Sequence, residues 1–285
     1  MKLLIKKELN SNNKISKLDF NPKSKNELLT LRLQTKFKQM LLHDKRQSIP
    51  LINHIDPNFI NKFSKILVDN SRKRLLVGIT GESASGKSTI CREIKSIIEQ
   101  LSVPVTVLST DNYFNDISAL INKYGTFDNL RDNGYDIDAP TSFQLDTLHS
   151  DLKDLSNGLD IKAPMYLPNG TGVSIPKAID VPSKKIIVVE GIATMYKDVK
   201  DVFDIKIYVE TENELRKSRF LKRAVEERNQ SKENAQNHWN YITQDGEKYI
   251  KPLRKEADLV INGNSDLKSL AEMLGYIHEI TNNFE

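Results

Sequence analysis

The residues best suited to chemistry form a glycine-rich segment, GESASGKST, at positions 81–89. Its spacing fits the pattern G-x-x-x-x-G-K-[ST], and it stands between the apolar run LLVGIT and an amphipathic helical pattern. Such a loop curls so that backbone N–H groups and the positive end of the following helix point at phosphate oxygens. We expect Lys87 to bridge the β- and γ-phosphates of ATP, and the hydroxyl of Ser88 to bind Mg²⁺. The predicted nucleotide contacts are Gly81, Glu82, Ser83, Ala84, Ser85, Gly86, Lys87, Ser88 and Thr89.

Two acidic residues follow other predicted strands and are candidates for the reaction itself. Ligands of doubly wound sheets bind at the carboxyl ends of the strands. Asp111 follows the run VTVLST, where its carboxylate can accept the proton of an attacking hydroxyl, and the alternative is a helix N-cap. Glu190 follows the run KKIIVV, where a carboxylate reaches the Mg²⁺ shell, and the alternative is a structural acid. The phosphate loop alone does not separate kinases from GTPases, ATPases or helicases.

The pattern from residue 75 onward alternates short apolar strands with amphipathic helices. This alternation is typical of an α/β fold, here a P-loop NTPase-type parallel sheet with helices on both faces. Strands are predicted at residues 75–80, 103–109, 185–189, 205–209 and 259–261. Residues 158–182 are rich in glycine and proline, which predicts a β-hairpin or loop insertion.

The N-terminal part reads as a separate, basic leader. We assign residues 1–71 to this leader, partly disordered and then helical, and residues 72–285 to the catalytic domain. Ser24 and Glu27 have capping-box spacing before a helix at about 25–43, and Asp56 with Pro57 predicts the start of a second helix. Because every residue assigned to chemistry lies at or after Gly81, the leader is expected to be dispensable for turnover.

Composition and charge narrow the class of protein. Of the 285 residues, 38% are apolar and 28% charged, and no apolar run is long enough to span a bilayer or act as a secretory signal, so we expect a cytoplasmic protein without a membrane partner. The single cysteine, Cys91, excludes an internal disulfide. Residues 1–74 contain 17 Lys and Arg against 6 Asp and Glu, a pattern that favours a solvated face over a nucleic-acid partner. The sequence is compatible with a homo-oligomer.

Seven segments in order resemble the uridine kinase and phosphoribulokinase family over about residues 75–265. They are VGITGESASGKST, LSTDNYF, YDIDAPTSF, PMY, IIVVEGI, RFLKRAVEER and EADLVIN. The resemblance implies transfer of the γ-phosphate of ATP, with Mg²⁺, to a hydroxyl of a small molecule. A nucleoside such as uridine or cytidine, converted to its 5′-monophosphate, is the leading acceptor.

The resemblance also implies roles for single residues. Asp111 would be the general base, and Ser88, Glu190 and Asp111 would lie at the metal. Asp138 would bind substrate hydroxyls such as a ribose diol. The remaining predicted substrate contacts are Tyr166, Tyr113 and Phe114.

A basic helix resembles the lid that closes over the phosphates in this family. Thr211 and Glu214 have capping-box spacing, and Arg219 and Arg223 stand four residues apart on one predicted face. The resemblance makes both arginines catalytic, because such cations stabilise the transferring phosphoryl group. The alternative is a solvated helix whose arginines pair with neighbouring glutamates.

Departures from the family pattern bear on the acceptor. Related uridine and cytidine kinases have a histidine a few residues after the pocket tyrosine, and residues 167–172 contain none. Other acceptors therefore stay open, such as a phosphosugar, pantothenate or another riboside, although few cations occur between 123 and 175 to hold a charged one. A nucleotide-dependent switch that transfers nothing is the alternative from another class, and a switch would not need Asp111, Asp138 and Tyr166 together.

Overall fold

The structure is a computed structural model that describes residues 52–56, 58, 59, 62, 74–100, 102–167 and 170–265. The strands are β1 (Ile52–Ile55), β2 (Leu75–Thr80), β3 (Val105–Ser109), β4 (Ile161–Tyr166), β5 (Ser174–Val181), β6 (Ile186–Glu190), β7 (Ile205–Glu210) and β8 (Leu259–Asn262). The α-helices are α1 (Lys87–Gln100), α2 (Ser118–Tyr124), α3 (Phe127–Asp132), α4 (Leu145–Ser156), α5 (Asn213–Glu226) and α6 (Lys232–Asp245). The helix predicted at 25–43 lies outside the described residues.

Six strands form one sheet in the order β1-β8-β7-β2-β6-β3. Strands β3, β6, β2, β7 and β8 run parallel, and β1 pairs antiparallel with β8 at the edge. Because parallel strands share one carboxyl end, the segments after β2, β3, β6 and β7 come together at one edge of the sheet. The predicted parallel α/β sheet is confirmed, and each of its five predicted strands is present to within two residues.

The core consists of an apolar layer on each face of the sheet. Every residue of β2 and of β6 is buried, as expected for central strands covered on both sides. Alternate residues serve opposite layers, since Val77 packs with the α1 residues Ile90 and Ile94, whereas Leu76 packs with the α4 residues Leu148 and Leu152. Helices α1 and α4 therefore cover the two faces, and none of the helices in the described residues is long and apolar enough to cross a membrane.

Strands β4 and β5 form the separate antiparallel hairpin that the glycine- and proline-rich segment predicts. Its register pairs Tyr166 with Ser174, close to the connection between the strands. Gln144 ties the hairpin to the loop after β3, because its amide donates both to the Phe114 carbonyl at 2.9 Å and to the Ser174 hydroxyl at 3.1 Å. The insertion is thus attached to the edge of the sheet that carries the candidate site.

Strand β1 lies in the segment that the sequence assigns to the leader, and no strand was predicted there. The amide of Asp56 donates to the carbonyl of Asp258 at 2.9 Å, and Lys62 Nζ lies 3.0 Å from both carboxylate oxygens of Asp258. Phe59 is 1% exposed and packs in the apolar layer between α1 and the sheet. Part of the leader is therefore attached to the sheet, and Asp56 accepts the Asn58 amide at 2.7 Å as an N-cap does.

These contacts predict how truncation affects the protein. A protein that starts at Asn70 should lose at least about 3 kcal/mol in free energy of unfolding relative to one that starts at Leu51, because it lacks buried Phe59 as well as β1. Both should keep the parental turnover per folded molecule. Urea unfolding and kinetics normalised to folded protein measure the two effects. Equal stability of the two proteins, or a folded but inactive one, would contradict the expectation.

Candidate active site

The glycine-rich loop connects β2 to α1, as its sequence predicts. Gly81 has a φ of 149°, and a Cβ there would lie 2.5 Å from the carbonyl oxygen of Val209, so only glycine fits. Lys87 Nζ donates to the carbonyls of Gly81 and Glu82 at 2.7 and 3.0 Å. Ser88 and Thr89 are exposed at the start of α1. This arrangement leaves the N-terminal end of α1 and the Ser88 hydroxyl accessible to a phosphate ligand.

Glu190 and Asp111 lie beside this loop at the carboxyl ends of their strands. The register places Glu190 opposite Ile79 of β2 and opposite Ser109 of β3. Glu190 is 8% exposed, and in the described part of the chain neither carboxylate has a hydrogen-bond partner. The side chain that caps the turn Thr110–Tyr113 is Ser109, which accepts the Asp111 amide at 3.3 Å. Asp111 is therefore not the cap, which removes the alternative interpretation of this residue.

The surroundings of Asp111 shift its protonation toward neutral pH. The Asp111 residue is exposed, yet nearby protein atoms displace much of the hydration of its carboxylate, and this desolvation together with Glu190 raises its pKa to about 6. Lys87, Arg223 and Arg228 act in the opposite direction. Such a carboxylate can take up a proton and release it near neutral pH, as a general base must.

A divalent cation fits the donor set of this edge. Within the described ranges no three His, Cys, Asp or Glu side chains are grouped to hold a metal. Mg²⁺ does not require such a cage, because it is usually bound by one or two carboxylates, water and substrate phosphates. In the described part of the chain, the carboxylates of Asp111 and Glu190 have no hydrogen-bond partner, and with the exposed Ser88 hydroxyl they are oxygen donors of this kind.

Asp138 lies in the loop before α4, within electrostatic reach of Lys87 and Asp111. It is 6% exposed, and its Oδ2 is buried without a hydrogen-bond partner among the described residues. Its backbone is held because Tyr196 donates to its carbonyl and its own amide donates to the Asp245 carboxylate. Desolvation and Asp245 raise the pKa of Asp138 to about 7, whereas Lys87 opposes the shift. A buried oxygen that lacks a partner is a binding position for a ligand hydroxyl.

The aromatic residues predicted for the substrate occupy different places. The Phe114 ring lies 5.2 Å from that of Tyr166, and both side chains are half-buried between the loop after β3 and the hairpin. Burial raises the pKa of Tyr166 to about 12, so its phenol stays protonated. Tyr113 is completely buried, and its hydroxyl donates to Asp151 at 2.8 Å. We therefore correct the assignment of Tyr113, which is a core residue, and keep Phe114 and Tyr166.

The two arginines of α5 that the sequence predicts for a lid have different neighbours. Arg219 donates to the Asn264 side chain, and its Nη1 lies 3.6 Å from where a Cβ of Gly86 would stand. The positive charge of Arg223 instead lowers the pKa of Asp111. The predicted capping box is wrong, because Glu212 is the N-cap residue and the Thr211 hydroxyl donates to the Ser85 carbonyl at 2.9 Å. The start of α5 is thus bonded to the phosphate loop.

A family model described as the phosphoribulokinase / uridine kinase family matches residues 76–268. The chain belongs to this family. The family resemblance inferred from the sequence is thereby confirmed, and the chain is a phosphotransferase that acts on a hydroxyl group, as members of this phosphoribulokinase / uridine kinase family are.

Two curated relatives and one solved structure illustrate the likeness. The chain is 36% identical over 189 residues to a uridine kinase from Staphylococcus aureus (strain JH9). The matched region covers 65% of this chain and 86% of the relative. It is 32% identical over 203 residues to uridine-cytidine kinase A from Dictyostelium discoideum. This match covers 69% of this chain but only 38% of that longer relative. The structure of a candidate fructose transport system kinase from Silicibacter has a TM-score of 0.53 at 18% identity, over 66% of this chain and 89% of that one, and shares the fold.

Arg131 and His238 lie near these groups but were not among the predicted site residues. Arg131 of α3 lies 5.0 Å from the Tyr241 ring, and its positive charge lowers the pKa of Asp138. His238 of α6 meets the Phe220 ring edge-on at 5.0 Å. Burial, followed by the nearby arginines, lowers the pKa of His238 to about 4, so its imidazole is neutral. Distant segments bring these residues to the site, so no local motif could reveal them.

Proposed function

We propose that the protein is an ATP-dependent nucleoside kinase, which phosphorylates the 5′-hydroxyl of a riboside such as uridine or cytidine. The observation that carries the proposal is that two carboxylates, Asp111 and Asp138, lie within electrostatic reach of Lys87 in the phosphate loop. A phosphate loop needs neither carboxylate for nucleotide binding alone, and the uridine kinase relatives support the acceptor class.

The chemistry follows from the positions of these groups. The 5′-hydroxyl oxygen attacks the γ-phosphorus as its proton passes to Asp111, and the bond between that phosphorus and the bridging oxygen breaks to release ADP. Lys87 and Arg223 neutralise charge on the phosphoryl group in transit. Ser88, Glu190 and Asp111 would hold Mg²⁺, which supplies additional neutralisation of phosphate charge when it is bound.

Asp138 is assigned to the ribose. Its buried Oδ2, which has no hydrogen-bond partner among the described residues, can accept hydrogen bonds from a vicinal diol, while Tyr196 and Asp245 fix its backbone. Phe114 and Tyr166 offer ring faces for the nucleoside. Residues 167–175 contain no histidine to read a pyrimidine, so ribosides with different bases should be accepted.

A coupled assay of ADP release tests the proposal most directly. The panel contains uridine, cytidine, adenosine, ribulose 5-phosphate, fructose and pantothenate, each with Mg²⁺·ATP. Turnover highest with a riboside supports the proposal. Turnover with a phosphosugar or pantothenate alone would replace the acceptor, and ATP binding without turnover on any of them would favour a switch.

The diol assignment predicts discrimination against deoxyribosides. Uridine should exceed 2′-deoxyuridine in kcat/KM by about tenfold to a hundredfold, because a buried carboxylate left without its hydroxyl partner costs about 1–3 kcal/mol. Asp138→Asn should reduce this ratio, whereas Asp146→Asn, an exposed Asp on α4, should not. Equal kcat/KM for the two nucleosides in the parental protein would remove Asp138 from this role.

A further inference from the structure

Three carbonyl groups at the start of the phosphate loop are bound by cationic side chains. Lys87 binds the carbonyls of Gly81 and Glu82, and Arg216 Nε of α5 donates to the carbonyl of Ser83 at 3.0 Å. The N–H groups of such a loop converge on phosphate, so the carbonyls that point elsewhere need donors of their own. Arg216 supplies one of these donors from outside the loop.

The Glu82 carboxylate holds the Arg216 guanidinium in this position. Arg216 Nη1 lies 2.7 Å from Glu82 Oε1, and the two side chains are only 3% and 11% exposed. The guanidinium also lies 5.4 Å from the Trp239 ring of α6. Loss of one partner would leave the other charge buried and unpaired. The pair therefore joins the phosphate loop to α5 and α6.

Gly246, at the start of the π-helical turn Gly246–Ile250, lies close to the Glu82 carboxylate. A Cβ on Gly246 would lie 3.1 Å from Glu82 Oε1, which is tighter than an ordinary contact. A side chain at position 246 would therefore crowd the carboxylate oxygen that pairs with Arg216.

Helix α5 connects Arg216 to Arg223, the arginine near Asp111. Arg216, Arg219 and Arg223 are spaced three and four residues apart and share one face of the helix. Arg223 lies about 10 Å along the axis from Arg216, because a helix rises about 1.5 Å per residue. Since the helix is rigid over two turns, a fixed Arg216 determines where Arg223 stands relative to Asp111.

We propose that Arg216 is a positioning residue, which sets the conformation of the phosphate loop and the placement of Arg223 through its ion pair with Glu82. The Arg216 guanidinium and the Glu82 carboxylate act on the loop and on α5, not on the substrate. The turnover part of this proposal rests on the proposed kinase function, whereas its effect on nucleotide affinity does not.

Arg216→Lys tests the proposal without removing the buried charge. Lysine can still pair with Glu82 but lacks the Nε donor to Ser83. We expect the affinity for Mg²⁺·ATP, measured by titration calorimetry on the full chain, to fall about tenfold to a hundredfold, with a matching fall in kcat/KM for ATP and an acceptor KM within about twofold. The control is Arg254→Lys, the same change in a pair with Glu210 whose side chains are 41% and 39% exposed, and it should keep parental values.

A purely structural role predicts a different result, in which the melting temperature falls while affinity and kcat/KM per folded molecule stay parental. That result would overturn the proposal.

Glu82→Gln should show the same loss of affinity as Arg216→Lys. The double variant should be no more than about twofold worse than the worse single variant, because both changes act through one pair. Additive losses would overturn the coupling. If Arg216→Lys does not fold, Glu82→Gln decides alone, and parental affinity in it overturns the proposal. A parental protein that binds ATP but phosphorylates no acceptor refutes the kinase function and leaves this affinity comparison valid.

Discussion

Asp111→Asn should lower kcat by about a hundredfold to ten-thousandfold, with ATP affinity and melting temperature nearly unchanged. Asparagine has almost the same shape as aspartate, but its amide cannot accept the hydroxyl proton. The change also removes no hydrogen bond within the described part of the chain, because Ser109 caps this turn and the Asp111 carboxylate has no hydrogen-bond partner there. Steady-state kinetics with a saturating riboside, together with calorimetric titration of ATP, measure the two quantities.

Two comparisons separate the role of Asp111 as a base from other effects of the change. Asp146→Asn, on the exposed side of α4, should retain parental kcat. A carboxyl group whose pKa is raised to about 6 is ionised above that pH and protonated below it, so parental kcat/KM should fall as the pH drops through about 6. The residual activity of Asp111→Asn should lack this decline. A parental rate in this variant would remove the base from the mechanism.

The central sheet and the phosphate loop were predictable because their signals are local. Strands β2 and β6 are continuous apolar runs, which is the pattern of strands covered on both faces. The loop needs glycine at position 81, where any side chain would strike the Val209 carbonyl. In these segments a few adjacent residues determine both conformation and burial.

Strand β1 was not predicted because its partner is distant in sequence. The four residues Ile52–Ile55 form a strand only against β8, more than 200 positions away, and Asp258 beside β8 supplies the acceptors for Asp56 and Lys62. The capping box at the start of α5 failed for the same reason. Thr211 has the correct spacing, but the Ser85 carbonyl takes its hydroxyl instead. Tertiary partners override local capping preferences in this case.

Two adjacent aromatic residues show the limit of a motif. Tyr113 and Phe114 stand together after β3, and the sequence assigned both to the substrate. The turn directs the Tyr113 side chain into the core, where Asp151 satisfies its hydroxyl, and leaves Phe114 beside Tyr166. A motif identifies the segment that reaches a site, whereas the backbone of the turn determines which of its side chains enters it.

Lys87→Ala should affect binding and chemistry together, in contrast to Asp111→Asn. The ammonium group would contact the phosphates, and it also holds the carbonyls of Gly81 and Glu82, so its loss deprives the loop of two hydrogen bonds. We expect kcat to fall by about a hundredfold to a thousandfold, as it does when one donor to transition-state charge is removed, and ATP affinity to fall with it. Lys95→Ala, an exposed lysine on the same helix that pairs weakly with Glu99, should keep both parental values. A Lys87→Ala protein with parental ATP affinity would show that the loop does not hold the nucleotide phosphates through this lysine. If the Asp111 and Lys87 variants had the same profile of affinity and turnover, the division between a base at β3 and a phosphate site at β2 would have to be abandoned.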